Sequence, residues 1–541
     1  MRDQRLEIKD IVKHIDDATL GKLDIPEFQR GFVWRPDKAK NLVDSLWRGY
    51  PIGTILLWES KYSSPRVAQG AQSQKLWVVD GQQRITTLSL LFGKKPYWWP
   101  DATEWNKYYE KYDVLVNIKN PRDSLEFGLP NPIRRKAVEW VSVRDVMSCD
   151  NLSKLAKEIA DKTGKDFTEI HEKLQSLKKI ENYPLYEIII DHEVEDVAEI
   201  FTRLNMAGVK VRESDVVIAL VAAKQEGWVR QEFNLFLKNL DDKGFEIDPS
   251  ILIRSLAVIG KGIARLKDIP EDFWEGSKEF QDGWEKTKDS ISYIVRQMNK
   301  AGILSSEILP SHNALIPMFA LHSKFGSTFN FNKALYWFLL ATGDGRYSGS
   351  AITVLDQDIS TINSSLSFED AINALVKPLR FQDTFTRDNF LTDYRNEVFR
   401  LILYLMIFKN KAQDWITQDV RIGYDRSDNQ LNEGFKPEWH HFFPRKVLKA
   451  HNIDGSKFDL LANIVILNEK ANRTFTSKEP KEYLLKHKVE LQRLSEQLIP
   501  VDENLWQVGR YGEFLEKRAS TLAEKANALF RELKNGSRIE F

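Results

Sequence analysis

Four apolar residues, Leu76-Trp-Val-Val79, run straight into Asp80-Gly-Gln-Gln-Arg84, and apolar residues then return at helical spacing over 85–92. A short continuous apolar run ended by a turn signal reads as a buried strand. The junction therefore predicts strand, tight turn and helix in direct succession. A helix start leaves backbone N–H groups unpaired and carries partial positive charge, so it suits a phosphate. Gly81 lets a ligand approach the backbone, and Arg84 offers a fork for phosphate oxygens. The plainer reading is equally open: Asp80 caps the helix and Arg84 is a solvated charge.

The neighbouring pattern is mixed. Residues 37–48 carry Ala39, Leu42, Val43, Leu46 and Trp47 at helical spacing behind Pro36, a helix signature. Residues 6–15 look helical, 23–26 extended, and 54–58, 113–118 and 185–190 like strands. Residues 194–204 and 212–224 look helical again. Residues 1–225 thus read as an α/β domain. From 226 to 395 the pattern is mostly helical, with a loop at 342–349. Residues 396–541 open and close with helices, 397–408 and 511–535, around an irregular segment bearing His and Asn. The expected fold class is α+β.

Composition narrows the function. The 541 residues hold 78 Lys+Arg and 78 Asp+Glu, a formal net charge of zero. Bulk positive charge is thus excluded as the source of nucleic-acid affinity, while a local basic groove is not. One cysteine permits no intramolecular disulfide and no Cys-cluster zinc site. No run of about 20 apolar residues offers a membrane-spanning helix, and the charged amino terminus has no secretory h-region. A cytoplasmic protein with no membrane partner is expected.

Two further polar clusters lie in the first domain. Gln29 and Arg30 sit within Phe28-Gln-Arg-Gly-Phe-Val-Trp34, and Arg203 and Asn205 within Phe201-Thr-Arg-Leu-Asn-Met-Ala-Gly208. Three such clusters form either a nucleotide pocket or a buried polar network that only stabilises. Taken in order, Ile25-Pro-Glu-Phe-Gln-Arg-Gly-Phe-Val-Trp34, Leu42-Val-Asp-Ser-Leu46, Tyr50-Pro-Ile-Gly53, Val79-Asp-Gly-Gln-Gln-Arg-Ile-Thr-Thr-Leu88 and Ile200-Phe-Thr-Arg-Leu-Asn205 resemble the amino-terminal domain of GmrSD-type restriction proteins. These are type IV, modification-dependent endonucleases. The resemblance covers residues 5–225 and implies a ParB/sulfiredoxin-like fold that binds and hydrolyses NTP. It points to Gln29, Arg30, Asp80, Gly81, Gln82, Gln83 and Arg84, with Arg203 and Asn205, as nucleotide-binding residues.

The second chemical segment is Glu438-Trp-His-His-Phe-Phe-Pro444, followed by Asn463 in an apolar run and by Asn468 and Asn472. Order and residue type suit a one-metal ββα hydrolase. Such a site needs a His near neutral pKa to take a proton from water and a neighbouring ligand for a divalent cation. A central Asn can hold the base's ring. Adjacent residues on a strand point opposite ways, so spacing alone leaves the geometry open, and a surface His pair in a hairpin is the plainer alternative. Between residues 440 and 486 nine positive side chains face five negative ones, a modest local surplus.

This segment is similar to the HNH (His-Me finger) domain at the carboxyl end of GmrSD proteins. The resemblance implies His440 as metal ligand, His441 as general base, Asn463 as its orienter and Asn472 as second metal ligand, with Asn468 as an alternative. Arg445, Lys446, Arg473 and Lys478 are the implied DNA contacts. The implied layout is residues 1–225 for NTP, 226–395 as a helical middle, and 396–541 as the nuclease. The expected activity is an NTP-regulated, metal-dependent DNA endonuclease or nickase against phage DNA, including modified DNA. Mg²⁺ is the expected metal, with Mn²⁺ or another divalent ion as substitute, and GTP, ATP or another NTP the nucleotide. A homo-oligomer is left open. The competing readings are a nucleotide-switched DNA-binding sensor with an inactive HNH segment, and a ribonuclease toxin.

Overall fold

The computed structural model describes residues 2–16, 23–24, 32, 34–59, 76–96, 99, 102–192, 200, 212–225, 227–349, 351–416, 438–475, 478–537 and 539. The chain divides into two compact units, Met1–Val229 and Arg230–Phe541. The fold is α+β: small sheets in both units and long helices in the second.

The first unit is built on a five-stranded mixed sheet. Its strands are β1 (Arg2–Glu7), β2 (Leu23–Asp24), β3 (Ile55–Glu59), β4 (Leu76–Asp80) and β8 (Pro184–Ile190), in the order β1-β8-β3-β4-β2. Strand β8 runs antiparallel to β1 and parallel to β3, while β3 and β4 are antiparallel. A smaller sheet, β6-β5-β7, comprises β5 (Leu115–Asn117), β6 (Glu126–Gly128) and β7 (Trp140–Ser142). Both faces of the main sheet are covered. Leu57, Val78, Leu185 and Ile189 pack with Ile11 and Ile15 of helix α1 (Ile8–Asp16) and Ile85 of helix α3 (Gln82–Leu91). Leu56, Trp58, Trp77, Val79 and Ile190 form the opposite core. Burial on both faces is why β3 and β4 read as unbroken apolar runs and not as alternation.

Helix α2 (Pro36–Arg48) buries Ala39, Leu42, Val43 and Leu46. Its start has proline in the first turn, where no N–H partner is lost. Its end is closed by Gly49 at φ 72°, whose N–H bonds Leu46 O while Tyr50 N–H bonds Ser45 O. Helix α3 is buried along most of its length: Ile85 faces the sheet, and Leu88 and Leu91 face a second core with Leu42, Val43, Val116 and Leu174. Its last turn is held by the buried Arg144, whose Nε donates to Leu90 O at 2.8 Å. A cation at a helix C-terminus meets the negative end of the dipole.

One element differs from the sequence expectation. The helix expected over 6–15 begins only at Ile8, and residues 2–7 form an edge strand paired with β8. The residues of β1 are mostly exposed and charged. Their strand state comes from pairing with β8, which no local pattern encodes. The helix expected over 194–204 lies almost wholly outside the described residues.

In the second unit, helices Pro249–Lys261, Lys278–Lys300, Leu315–Phe325 and Ala351–Ser364 pack among themselves, and Phe331–Gly343 and Glu397–Lys409 pack on the long helix Tyr511–Asn535. The middle helices and the carboxyl-terminal segment therefore share this unit. After Gly343 the chain turns, and Arg346 and Tyr347 fold back on the buried Asp358: Arg346 Nε donates to Oδ2 at 2.8 Å and the Tyr347 hydroxyl at 2.6 Å. Strands β9 (Glu438–His441) and β10 (Ile464–Leu467) form an antiparallel pair, followed by the short helix Glu469–Thr474.

Candidate functional site

In the first unit, β4 ends at Asp80 and α3 begins at Gln82. Gly81 sits between them at φ 99°, and a Cβ there would lie 2.4 Å from Ile55 Cδ1. Only glycine meets both demands. Gly81 supplies no side-chain cap, and the first intrahelical bond runs from Ile85 N–H to Gly81 O. The N–H groups of Gln82, Gln83 and Arg84 precede that bond.

Arg84 is engaged from both sides. Its Nη1 donates to Ile52 O at 2.7 Å and its Nη2 to Asp80 Oδ2 at 2.8 Å. Gly53, at φ 84°, makes room for this guanidinium: a Cβ would fall 2.7 Å from Nη1. Arg84 thus ties the turn before β3 to the end of β4. Gln83 Oε1 accepts the Trp34 N–H at 3.2 Å. Gln82 is buried, and its Oε1 has no hydrogen-bond partner among the described residues. Gln29, Arg30, Arg203 and Asn205 lie outside the described residues.

In the second unit the hairpin brings His440 and Asn472 together, while His441 meets Asp459. The register pairs His441 with Ile464 and His440 with Val465. Strand alternation sends the two imidazoles to opposite faces. His440 points inward, 4% exposed, with Phe475 and Tyr483 at ring-centroid distances of 6.1 and 6.5 Å. Its Nδ1 lies 2.6 Å from Asn472 Oδ1, and its buried Nε2 has no hydrogen-bond partner among the described residues. Burial pushes the His440 pKa down to about 4 against the opposing effect of the Asn472 bond, so the ring is neutral at neutral pH.

His441 faces the other way, and its Nε2 lies 2.8 Å from Asp459 Oδ1. Burial lowers its pKa too, and this outweighs the upward pull of Asp459. Asp459 also takes Arg445 in a two-point contact, Nε to Oδ1 at 2.7 Å and Nη2 to Oδ2 at 2.6 Å. Burial raises the Asp459 carboxyl, but the bonds from Arg445 and His441 outweigh it and hold the group ionised below its ordinary range. Tyr394 lies edge-on to His441, with centroids 5.7 Å apart.

Asn463 does not hold an imidazole, as expected of it. It is fully buried, and its Oδ1 accepts the Phe443 N–H at 2.9 Å. Its Nδ2 donates to Phe443 O and Phe458 O at 3.1 and 3.0 Å. The amide is two-sided, donor and acceptor, so it locks the chain just after the histidines to the turn before β10. Asn468 caps the following helix, its Oδ1 accepting the Ala471 N–H at 2.7 Å. Lys446 is exposed, Lys478 is paired with Glu482, and Arg473 falls on the helix Glu469–Thr474.

Further side chains clamp the hairpin. Tyr483 donates its hydroxyl to Phe442 O at 2.7 Å. Gln497 bonds both Ile466 N–H and Ile466 O, at 2.8 and 2.7 Å. The buried Arg518 donates to Ala462 O at 2.9 Å, and Asp414 accepts the Asn468 N–H at 2.9 Å. Asp459 and these struts escaped the sequence reading. Asp459 stands four residues before Asn463 in the turn ahead of β10, and that position was its only signal.

Compared with known proteins, residues 8–222 match the family described as the GmrSD restriction endonuclease, N-terminal domain. An uncharacterized protein of Methanocaldococcus jannaschii is 23% identical, the alignment covering 90% of this chain and 88% of that protein. Among the described residues no helix is long and apolar enough to cross a membrane. Over residues 8–222, the span that holds the strand–glycine–helix junction with its Arg84 tie, the chain is similar to the N-terminal domain of the GmrSD restriction endonucleases.

Proposed function

We propose that this chain is an NTP-regulated, metal-dependent DNA endonuclease or nickase that restricts phage DNA, including modified DNA. The observation that carries the reading is the pairing of His440 on the hairpin with Asn472 on the helix after it, Nδ1 2.6 Å from Oδ1, with His441 the next residue of the same strand. The family likeness of residues 8–222 supports the restriction context. In this reading the first unit, a ParB/sulfiredoxin-like domain, binds and hydrolyses NTP at the start of α3, where the helix N-terminus and the buried Gln82 Oε1 would meet it. The second unit carries the HNH finger.

His440 and Asn472 fit a divalent cation. The imidazole is neutral, and the ion would take the place of the proton that Nδ1 shares with Asn472 Oδ1 at 2.6 Å. No group of three or more His, Cys, Asp or Glu able to hold a metal occurs among the described residues. Two protein donors leave room for water and phosphate oxygens, as Mg²⁺ prefers. Such an ion supplies charge stabilisation to the phosphate and the departing oxygen. His441 takes the proton of the attacking water. The water oxygen bonds phosphorus, the bond to one sugar oxygen breaks, and solvent protonates that oxygen.

The test is cleavage of plasmid and of modified phage DNA, with matched RNA, by the full chain in Mg²⁺ or Mn²⁺, with and without NTP. We expect His441→Ala to reduce cutting by about 10²-fold or more. Asp80→Ala is expected to remove the effect of NTP. NTP hydrolysis without cutting of any DNA overturns the nuclease assignment, and preferential cutting of RNA overturns the substrate.

A further inference from the structure

Resting on the nuclease reading above, we infer that Asp459 is the positioning residue that fixes the tautomer and direction of His441, with Arg445 as its brace and not a DNA contact. An ionised carboxylate only accepts. The contact between His441 Nε2 and Asp459 Oδ1, at 2.8 Å, therefore requires the proton on Nε2. The lone pair is then on Nδ1, the ring atom left to receive a proton from water. A neutral imidazole in solution samples both tautomers, and only one of them is a base at Nδ1.

Asp459 is itself held at its carboxylate and at its backbone, in a turn that is pinned beside it. Arg445 takes both carboxylate oxygens, at 2.7 and 2.6 Å. The backbone of Asp459 accepts the Tyr394 N–H at 2.9 Å, and Leu461 N–H bonds Thr392 O at 2.8 Å. The segment before helix Glu397–Lys409 thus anchors the turn that carries the carboxylate. Tyr394 also packs its ring edge-on to His441, so one residue restrains both partners. The Nε–Nη2 edge of Arg445 is occupied by this contact, so a phosphate does not take that edge at the same moment. When Nδ1 takes its proton, the resulting imidazolium lies against a carboxylate already oriented toward it. Asn463 supports the same geometry from the backbone only, through Phe443 and Phe458. Orientation of the base therefore falls to a carboxylate 18 residues away in sequence.

The test uses the full chain with ¹⁵N-labelled histidine, comparing wild type, Asp459→Asn, Asp459→Glu, Arg445→Gln and His441→Ala. The ring-nitrogen spectrum of the resting protein reports the His441 tautomer, assigned by the resonances lost in His441→Ala. We expect wild type to hold the proton on Nε2. In Asp459→Asn the amide can donate to Nε2, so the proton moves to Nδ1. DNA cutting should then lose kcat by about 10–100-fold with KM unchanged. Asp459→Glu should restore part of it, and Arg445→Gln should lose less than Asp459→Asn. A wild-type proton on Nδ1, or an Asp459→Asn protein with unchanged tautomer and unchanged kcat, overturns the inference while a dead His441→Ala leaves the nuclease reading intact. If wild type cuts no DNA, that reading fails instead. The tautomer in wild type and Asp459→Asn then decides the role of Asp459 alone.

Discussion

Glu187 is a carboxylate in an apolar layer. It lies on β8 between Leu185 and Ile189, 1% exposed, on the sheet face that packs against α1 and α3. Gln4 across the strand pair donates its Nε2 to Glu187 Oε2, 2.5 Å away. Burial pushes its pKa up, and the Gln4 bond opposes this only in part. The folded state therefore binds the Glu187 proton more tightly than the unfolded chain does. Its contribution to stability is full below the unfolded carboxyl value and is lost as pH rises through the raised folded value. Glu187→Gln keeps an acceptor for Gln4 and removes the charge. It is expected to stabilise the first unit at neutral pH, on the order of 1 kcal/mol, with little gain near about pH 4. Denaturant unfolding at the two pH values checks this, and an equal effect at both would refute it.

The hairpin β9–β10 depends on side chains that bond to backbone. Asn463 satisfies three backbone groups from a site with no solvent. Asn463→Ala would leave them buried and unpaired, at a cost of about 2–5 kcal/mol. Hydrogen exchange at the Phe443 amide should rise together with the loss of global stability, and an unchanged Phe443 amide would contradict the assignment. Elements with strong local signals were legible in the sequence. Helix α2 shows its periodicity and its proline start, β4 and α3 show an apolar run and a glycine turn, and Tyr511–Asn535 follows its expected bounds. The apolar run that holds Asn463 is a tight turn over Leu461–Asn463 and a strand only from Ile464, a boundary that apolar character alone does not mark. Edge strand β1 was invisible, since pairing and not its own pattern makes it. The candidate site divides the same way. His440, His441 and Asn472 stand out by residue type, whereas Asp459 becomes a partner only once the turn before β10 folds it back.

At the scale of the whole molecule, each of the two compact units has the means to unfold by itself. The sheet cores around Leu57 and Trp58 lie within the first unit, and the helices that pack with Tyr511–Asn535 lie within the second. Calorimetry of the full chain should show more than one transition, with a van't Hoff enthalpy below the calorimetric one. A nucleotide bound at the start of α3 should then shift one transition only, by about 2.7 kcal/mol at a hundredfold excess over its Kd. A single two-state transition, or equal shifts of both, would argue against this. The adjacent histidines bring a different kind of constraint. They share one strand yet serve opposite sides of it, one dry and one wet. Slipping β9 by one residue against β10 would turn His440 outward and His441 into the core. A residue gained or lost within Glu438–His441 would therefore disturb this segment far more than an exchange of the side chains around it.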